Sequence, residues 1–301
     1  MDFKSKVKSN KFVVTTELAP NKGTDTSYIR DRVELLTGIV DAINITDNQR
    51  SVMRASPVAL SHILIDFGIE PILQMTCRDR NRLALQSDLL GAHWLGIRNV
   101  LALTGDHPKF GDHEGAKSVF DIDSVQLLSV IKKLNNGFDD AGNALSGSTH
   151  FFAGGVVNPF STSIETEILK MKKKTEQGAQ FFQTQTVYDT EMFFSFLDNV
   201  GAHCNVPLQN IKIIAGLMPL ESLKSGLFMK NNIPGVVIPD ALLDELKHAK
   251  DPVVKGIEQM ARIIDKIKDK CAGVHIMTRG KAKPVIEILK MSGIYFERAY
   301  H

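Results

Sequence analysis

Polar groups stand where six apolar runs break off, and their types suit acid–base chemistry and ligand binding. They are Glu17, Thr46-Asp47-Asn48, Thr76-Cys77-Arg78-Asp79, Thr104-Gly105-Asp106, Asn158 and Gln185. Glu17 is the sharpest of them. A carboxyl inside an apolar run, just before Leu18-Ala19-Pro20, is expected to be partly buried, and burial raises its pKa toward general-acid work. Asp47 and Asp106 suit a turn or a helix cap equally well. The arginine-rich run 76–82, TCRDRNR, is a candidate for phosphate contacts, because arginine grips phosphate bidentately. The lysines Lys172, Lys173 and Lys174 read first as a solvated helix face, from which one could still reach an anionic cofactor. His107 and His113 read as loop surface residues, and Trp94 and the methionines as core.

Other chemistries find less support. The first run carries TTE with no His-x-His pair, so the sequence predicts no metal site. The sixth run offers Gln185 where a Schiff-base enzyme needs a lysine. Cys77, Cys204 and Cys271 lie far apart, which predicts neither a disulfide framework nor a zinc cluster and favours a reducing, cytoplasmic setting.

These groups need a frame, and the chain supplies a periodic one. Short β-branched runs at 12–16, 39–46, 71–77, 99–103, 150–157, 181–187, 211–217 and 274–278 alternate with amphipathic segments. The segments lie at 26–36, 53–67, 81–95, 124–135, 163–176, 190–200, 220–229 and 252–270, with room for a short extra helix near 240–248. Near-continuous apolar runs suit parallel strands covered on both faces. Eight such units predict an α/β fold, a (β/α)8 TIM barrel spanning 1–301 as a single catalytic domain, with the polar groups gathered at the C-terminal mouth. A doubly wound sheet fits less well, since no GxGxxG follows the first run.

Composition sets the outer bounds. The chain has 301 residues, 43% hydrophobic and 23% charged, with a net charge of +2, which excludes a disordered chain and a strongly basic nucleic-acid binder. The basic N-terminus is followed by only FVV, too short for a signal peptide, and no apolar stretch approaches the roughly 18 residues of a membrane span.

At these same residues the sequence resembles the methylenetetrahydrofolate reductases, which are flavin-dependent barrels. The motifs are TTELAPNKG, NITDNQRS, QMTCRDRNR, NVLALTGDHP, VVNP and GAQFFQTQTVYD, in order from about Val13 to Lys281. The resemblance implies reduction of 5,10-methylenetetrahydrofolate to 5-methyltetrahydrofolate by hydride from a reduced flavin, FMN or FAD. It implies Glu17 as general acid and Asp106 as the carboxylate between pterin and flavin. Gln185, Ser225 and Lys281 would contact folate. Thr46, Asp47, Gln74, Thr76, Thr104, Gly105, Asp106, Asn158, Glu167, Lys170, Lys173 and Lys174 would contact the flavin. Better-studied bacterial members have histidine at Gln74 and Asn158, arginine at Thr104 and tyrosine at Gly154, and their substrate arginine aligns loosely with Lys281. The wording TDNQR, MTCRDRNR and LTGDHP is most similar to short catalytic subunits of anaerobic bacteria. That implies a chain without the C-terminal regulatory domain of eukaryotic members, and a small iron–sulfur or zinc partner subunit as one route for electrons. A non-redox, pterin-binding one-carbon or methyl transferase is the alternative; a degenerate scaffold subunit is disfavoured by intact Glu17, Asp106 and Gln185.

Overall fold

A computed structural model describes residues 1–203 and 211–295; Cys204 lies outside them. Eight parallel strands close on themselves in sequence order: β1 Val13–Leu18, β2 Ala42–Ile45, β3 Pro71–Thr76, β4 Asn99–Leu103, β5 Phe152–Val157, β6 Phe181–Thr186, β7 Lys212–Leu217 and β8 Gly273–Ile276. Around them lie α2 Ser27–Leu36, α3 Pro57–Asp66, α4 Arg82–Trp94, α5 Ser124–Asn135, α6 Ile164–Glu176 and α7 Thr190–His203. The ring is completed by α8 Leu223–Asn232, α9 Asp240–His248, α10 Pro252–Ile267 and α11 Ala282–Met291. This is the (β/α)8 barrel that the alternation predicts. No helix of the described residues is long and apolar enough to cross a membrane.

Two helices escaped the sequence reading. A short helix α1, Phe3–Lys8, is capped by Asp2, whose side chain accepts from Ser5 N. It plugs the N-terminal end of the barrel with Phe3 and Val7, one turn apart. Phe3 meets Phe152 and Phe181 edge-on, at centroid separations of 5.9 and 5.6 Å. The other is α11, because the last amphipathic segment expected, 252–270, precedes β8 rather than following it. Strand β2 also begins later than its apolar run, since the Asp41 side chain turns aside to accept Val14 N and pair with Lys6.

Trp94 corrects another expectation. It ends α4 and is 85% exposed, because its helix turns that face to solvent; Met53, Met192 and Met291 are exposed too. Cys77 and Cys271 have thiols pushed up to about 12, chiefly by burial.

Candidate active site

The inward side chains of the strands set the floor and walls of the C-terminal mouth. Alternation along β1 sends Val13, Thr15 and Glu17 inward, so Glu17 lies on the same face as core residues two and four positions below it. The strand continues past Glu17 to Leu18, which leaves the residue only 8% exposed. Burial raises its pKa from the ordinary 4.5 to about 7. Among the described residues the carboxyl has no hydrogen-bond partner, so nothing favours its ionised form and desolvation decides.

Asp106 follows β4 on a loop built to hold it. Gly105 has φ +92°, and a Cβ there would come within 3.0 Å of Thr76 Cβ and 3.2 Å of Arg78 Cβ. Arg78 is 1% exposed and makes paired bonds to Asp79 at 2.8 and 2.7 Å. Its Nη1 donates to the backbone carbonyl of Asp106 (3.4 Å), and Nη2, besides pairing with Asp79, donates to that of Asn48 (3.2 Å). The guanidinium therefore ties the loop after β2 to the loop after β4 and leaves the Asp106 side chain free at the mouth.

Gln185 is aimed by an irregularity. The β6–β7 register slips between Gln183 and Thr186, so one extra residue of β6 faces β7. Thr184 Oγ1 accepts Gly216 N (2.9 Å) and donates to the Gln185 carbonyl (2.7 Å). Bulges of this kind redirect a side chain at a barrel rim.

Two cavities occupy the mouth. One, of about 920 Å³, holds Glu17 with Tyr28, Arg32, Arg54, Phe228 and Arg279. The other, of about 580 Å³, holds Asp106 and Gln185 with Gln74, Thr76, Thr104, Asn158, Glu167, Lys170 and Lys174. Gln49 and Arg50 line both, forming the partition between them. Both volumes fall within the range of about 300–1,000 Å³ usual for small-molecule sites. Glu17, Asp106 and Gln185 thus stand around one mouth, with the acid on one side of the partition and the other two across it.

The predicted cofactor contacts sort by geometry. Glu167, Lys170 and Lys174 follow one stripe of α6 and line the second cavity. Lys174 is buried, donates to the Val156 carbonyl at 2.6 Å, and has its pKa lowered by burial. Lys173 lies off that stripe, exposed and away from both cavities, which removes it from the site. Glu167 accepts Asn158 N at 2.9 Å and fixes that corner. Thr46 is buried just past β2 and its Oγ1 has no partner among the described residues, but it lines neither cavity. Asp47 is occupied: its Oδ2 accepts Thr76 N and Oγ1, both at 2.8 Å, and pairs with Arg80. Gly154 cannot carry a larger side chain, since a Cβ there would lie 2.4 Å from the Phe181 ring.

Three further expectations change. The arginines of run 76–82 are engaged by carboxylates: Arg78 by Asp79, Arg80 by Asp47 and Asp88, Arg82 by Asp121 and Asp140. They brace loops, and of the three only Arg78 lines the second cavity, its guanidinium already committed to Asp79 and two backbone carbonyls. Lys281 lies outside both cavities, paired with Glu221 at 2.7 Å, while Arg279, two residues earlier, lines the first cavity. Arg279 has φ +54°, a conformation uncommon for arginine, and this turn rather than the residue count decides which cation faces the cavity. Ser225 lines the first cavity but its hydroxyl serves the capping box of α8 with Ser222. Sequence reasoning also passed over Arg50 and Arg54, whose signal was their place just after a strand end. His107 and His113 are exposed as expected.

The profile of the family described as "Methylenetetrahydrofolate reductase" matches residues 2–293. A relative in Schizosaccharomyces pombe, methylenetetrahydrofolate reductase 2, is 31% identical over 239 residues, covering 76% of this chain and 37% of the relative. A probable methylenetetrahydrofolate reductase (NADPH) of Caenorhabditis elegans is 27% identical, with 82% and 36% covered. The chain thus spans under two fifths of the length of these curated relatives. A solved structure from Clostridium thermocellum, an uncharacterised protein described as binding two copies of 5-methyl-5,6,7,8-tetrahydrofolic acid, superposes with TM-score 0.68 at 18% identity. The match covers 98% of this chain and 99% of that one, and shows a shared fold.

Proposed function

Since the chain belongs to the methylenetetrahydrofolate reductase family, we propose that it reduces 5,10-methylenetetrahydrofolate to 5-methyltetrahydrofolate with a bound flavin. The observation that carries this reading is Glu17: a buried, unpartnered carboxyl, protonated near neutrality, facing a ligand-sized cavity beside a second one rich in amides and lysines. The Clostridium thermocellum protein's two bound methyltetrahydrofolates support a folate ligand for a barrel of this shape.

The residues present fit a flavin. Lys170 and Lys174 would meet its phosphate, and Gln74, Thr104 and Asn158 its polar ring edge. When bound, the flavin supplies the hydride and carries the redox chemistry. The protein does the rest. Glu17 gives its proton to N10 of the substrate, so that the methylene bridge opens to the reactive iminium; desolvation keeps that proton in place until it is needed. Asp106, on its braced loop, accepts from the amino and ring N–H groups of the pterin, and Gln185 donates and accepts beside it. Arg279 and Arg54 present cations to the glutamate end of the folate.

Electrons enter from a nicotinamide or through a small iron–sulfur partner subunit, and the reaction supplies methyl groups to methionine biosynthesis or the acetyl-CoA pathway in the cytoplasm. The first test is the absorbance spectrum of the purified protein, with extraction and mass determination of the flavin. Flavin bands, and turnover with NADH, NADPH or reduced ferredoxin, support the reading. A colourless protein that resists reconstitution overturns it and favours the non-redox transferase.

A further inference from the structure

The interior of a (β/α)8 barrel is ordinarily filled with layers of branched apolar side chains. Here the lowest layer obeys that rule, with Val13, Ala42, Ile72, Leu101, Phe152, Phe181 and Ile214. The layer above it does not. Thr15, Asn44, Gln183 and His275 all point inward and are buried. They form one hydrogen-bonded group. Asn44 Nδ2 donates to Gln183 Oε1 at 2.7 Å, and Gln183 Nε2 donates back to Asn44 Oδ1 at 3.1 Å. The same Gln183 nitrogen reaches Thr15 Oγ1 at 3.5 Å, and Thr15 Oγ1 lies 2.9 Å from His275 Nδ1. Burial pushes the His275 ring down to about 3, so the group carries no charge.

The connectivity matters more than the polarity. Strands β2 and β6 are four apart in a ring of eight, so the reciprocal Asn44–Gln183 amide pair spans the barrel from wall to wall. Three of the four tied strands carry a predicted site residue two positions above the tie. Thr15 precedes Glu17 on β1, Asn44 precedes Thr46 on β2, and Gln183 precedes Gln185 on β6. Burying polar amides costs free energy that leucine or methionine would not, which leaves stability a poor reason for this layer.

We propose that Thr15, Asn44, Gln183 and His275 are positioning residues that form a cross-barrel tie, fixing the span between Glu17 and Gln185 on which folate is held. The proposal rests on the reductase reading of the mouth above it.

Its test replaces the tie with an apolar pair of similar volume, Asn44→Leu/Gln183→Met, in the flavin-loaded protein. The melting temperature is expected to hold or rise, and reduction of the flavin by its donor to continue unchanged. Methylenetetrahydrofolate turnover should fall at least about tenfold, because reacting groups displaced by a fraction of an ångström lose that much or more. Calorimetric affinity for 5-methyltetrahydrofolate should weaken alongside it. Thr15→Val is the second variant, with Thr15→Ser restoring turnover; this pair decides the matter if the double variant does not fold. Folded variants with turnover and folate affinity equal to the parent would overturn the tie as a positioning device. An unsubstituted protein that neither binds 5-methyltetrahydrofolate nor reduces methylenetetrahydrofolate would instead overturn the reductase reading, and the proposal with it.

Discussion

Glu17→Gln separates the electrostatic claim about the acid from its catalytic role. Glutamine is a neutral near-isostere of the protonated carboxyl. The folded protein raises the Glu17 pKa from the ordinary 4.5 to about 7. At 1.36 kcal/mol per pH unit, that rise corresponds to about 3 kcal/mol between the two protonation states. The sign follows from proton binding. The folded chain holds this proton more tightly than the unfolded chain, so the favourable contribution is complete below pH 4.5 and is lost as pH rises through 7. The variant has no such loss. Its stability relative to the parent should therefore be near zero at pH 4.5 and grow to about 3 kcal/mol by pH 8. With an unfolding entropy near 2.1 cal/mol/K per residue, this is roughly 5 °C in melting temperature at pH 8. Calorimetry or a thermal shift series from pH 4.5 to 8.5 reads it. A difference that does not change with pH, or a variant less stable than the parent at pH 8, would refute the buried-acid argument. The same protein should lose folate reduction by about 10²–10⁴-fold, the usual contribution of a positioned acid, while flavin reduction by the donor survives.

Other outcomes follow from the geometry. Lys170→Ala and Lys174→Met should each weaken flavin binding by about tenfold or more, the worth of a hydrogen bond to a charged group, whereas Lys173→Ala should leave it unchanged; fluorescence titration of the apoprotein distinguishes them. Arg279→Gln should raise the folate KM, and Lys281→Gln should not, because only Arg279 lines the cavity; equal effects would reinstate Lys281. Gly105→Ala should destabilise the fold by about 1–3 kcal/mol, since it puts a Cβ at φ +92° against Thr76 and Arg78, and should weaken folate binding by moving Asp106. Denaturant unfolding and calorimetric folate titration measure the two effects.

The barrel was legible because its signal is repeated and local: eight β-branched runs, the first seven each followed by a helical period. Glu17 was legible for a related reason, since a carboxylate within TTEL has nowhere to go but the inward face. What the sequence hid were consequences of contact across the chain. The engagement of Arg78, Arg80 and Arg82 by aspartates up to 58 residues away decides that an arginine-rich run braces loops. The backbone turn at Arg279 decides which cation after β8 faces the cavity. The six-residue α1 is too short to carry a periodic signal, and it exists because the barrel floor receives Phe3 and Val7. Trp94 stands on the solvent face of α4, and the size of a side chain carries no information about which helix face it occupies.

The central claim is that one mouth brings an acid, a pterin-holding carboxylate and a flavin together for reduction of a folate. An anaerobic half-reaction tests it most directly: the photoreduced, flavin-loaded protein is mixed with methylenetetrahydrofolate, followed by absorbance and by mass determination of the folate. The flavin should reoxidise with formation of one equivalent of 5-methyltetrahydrofolate. A flavin that stays reduced while the folate remains unchanged would contradict it.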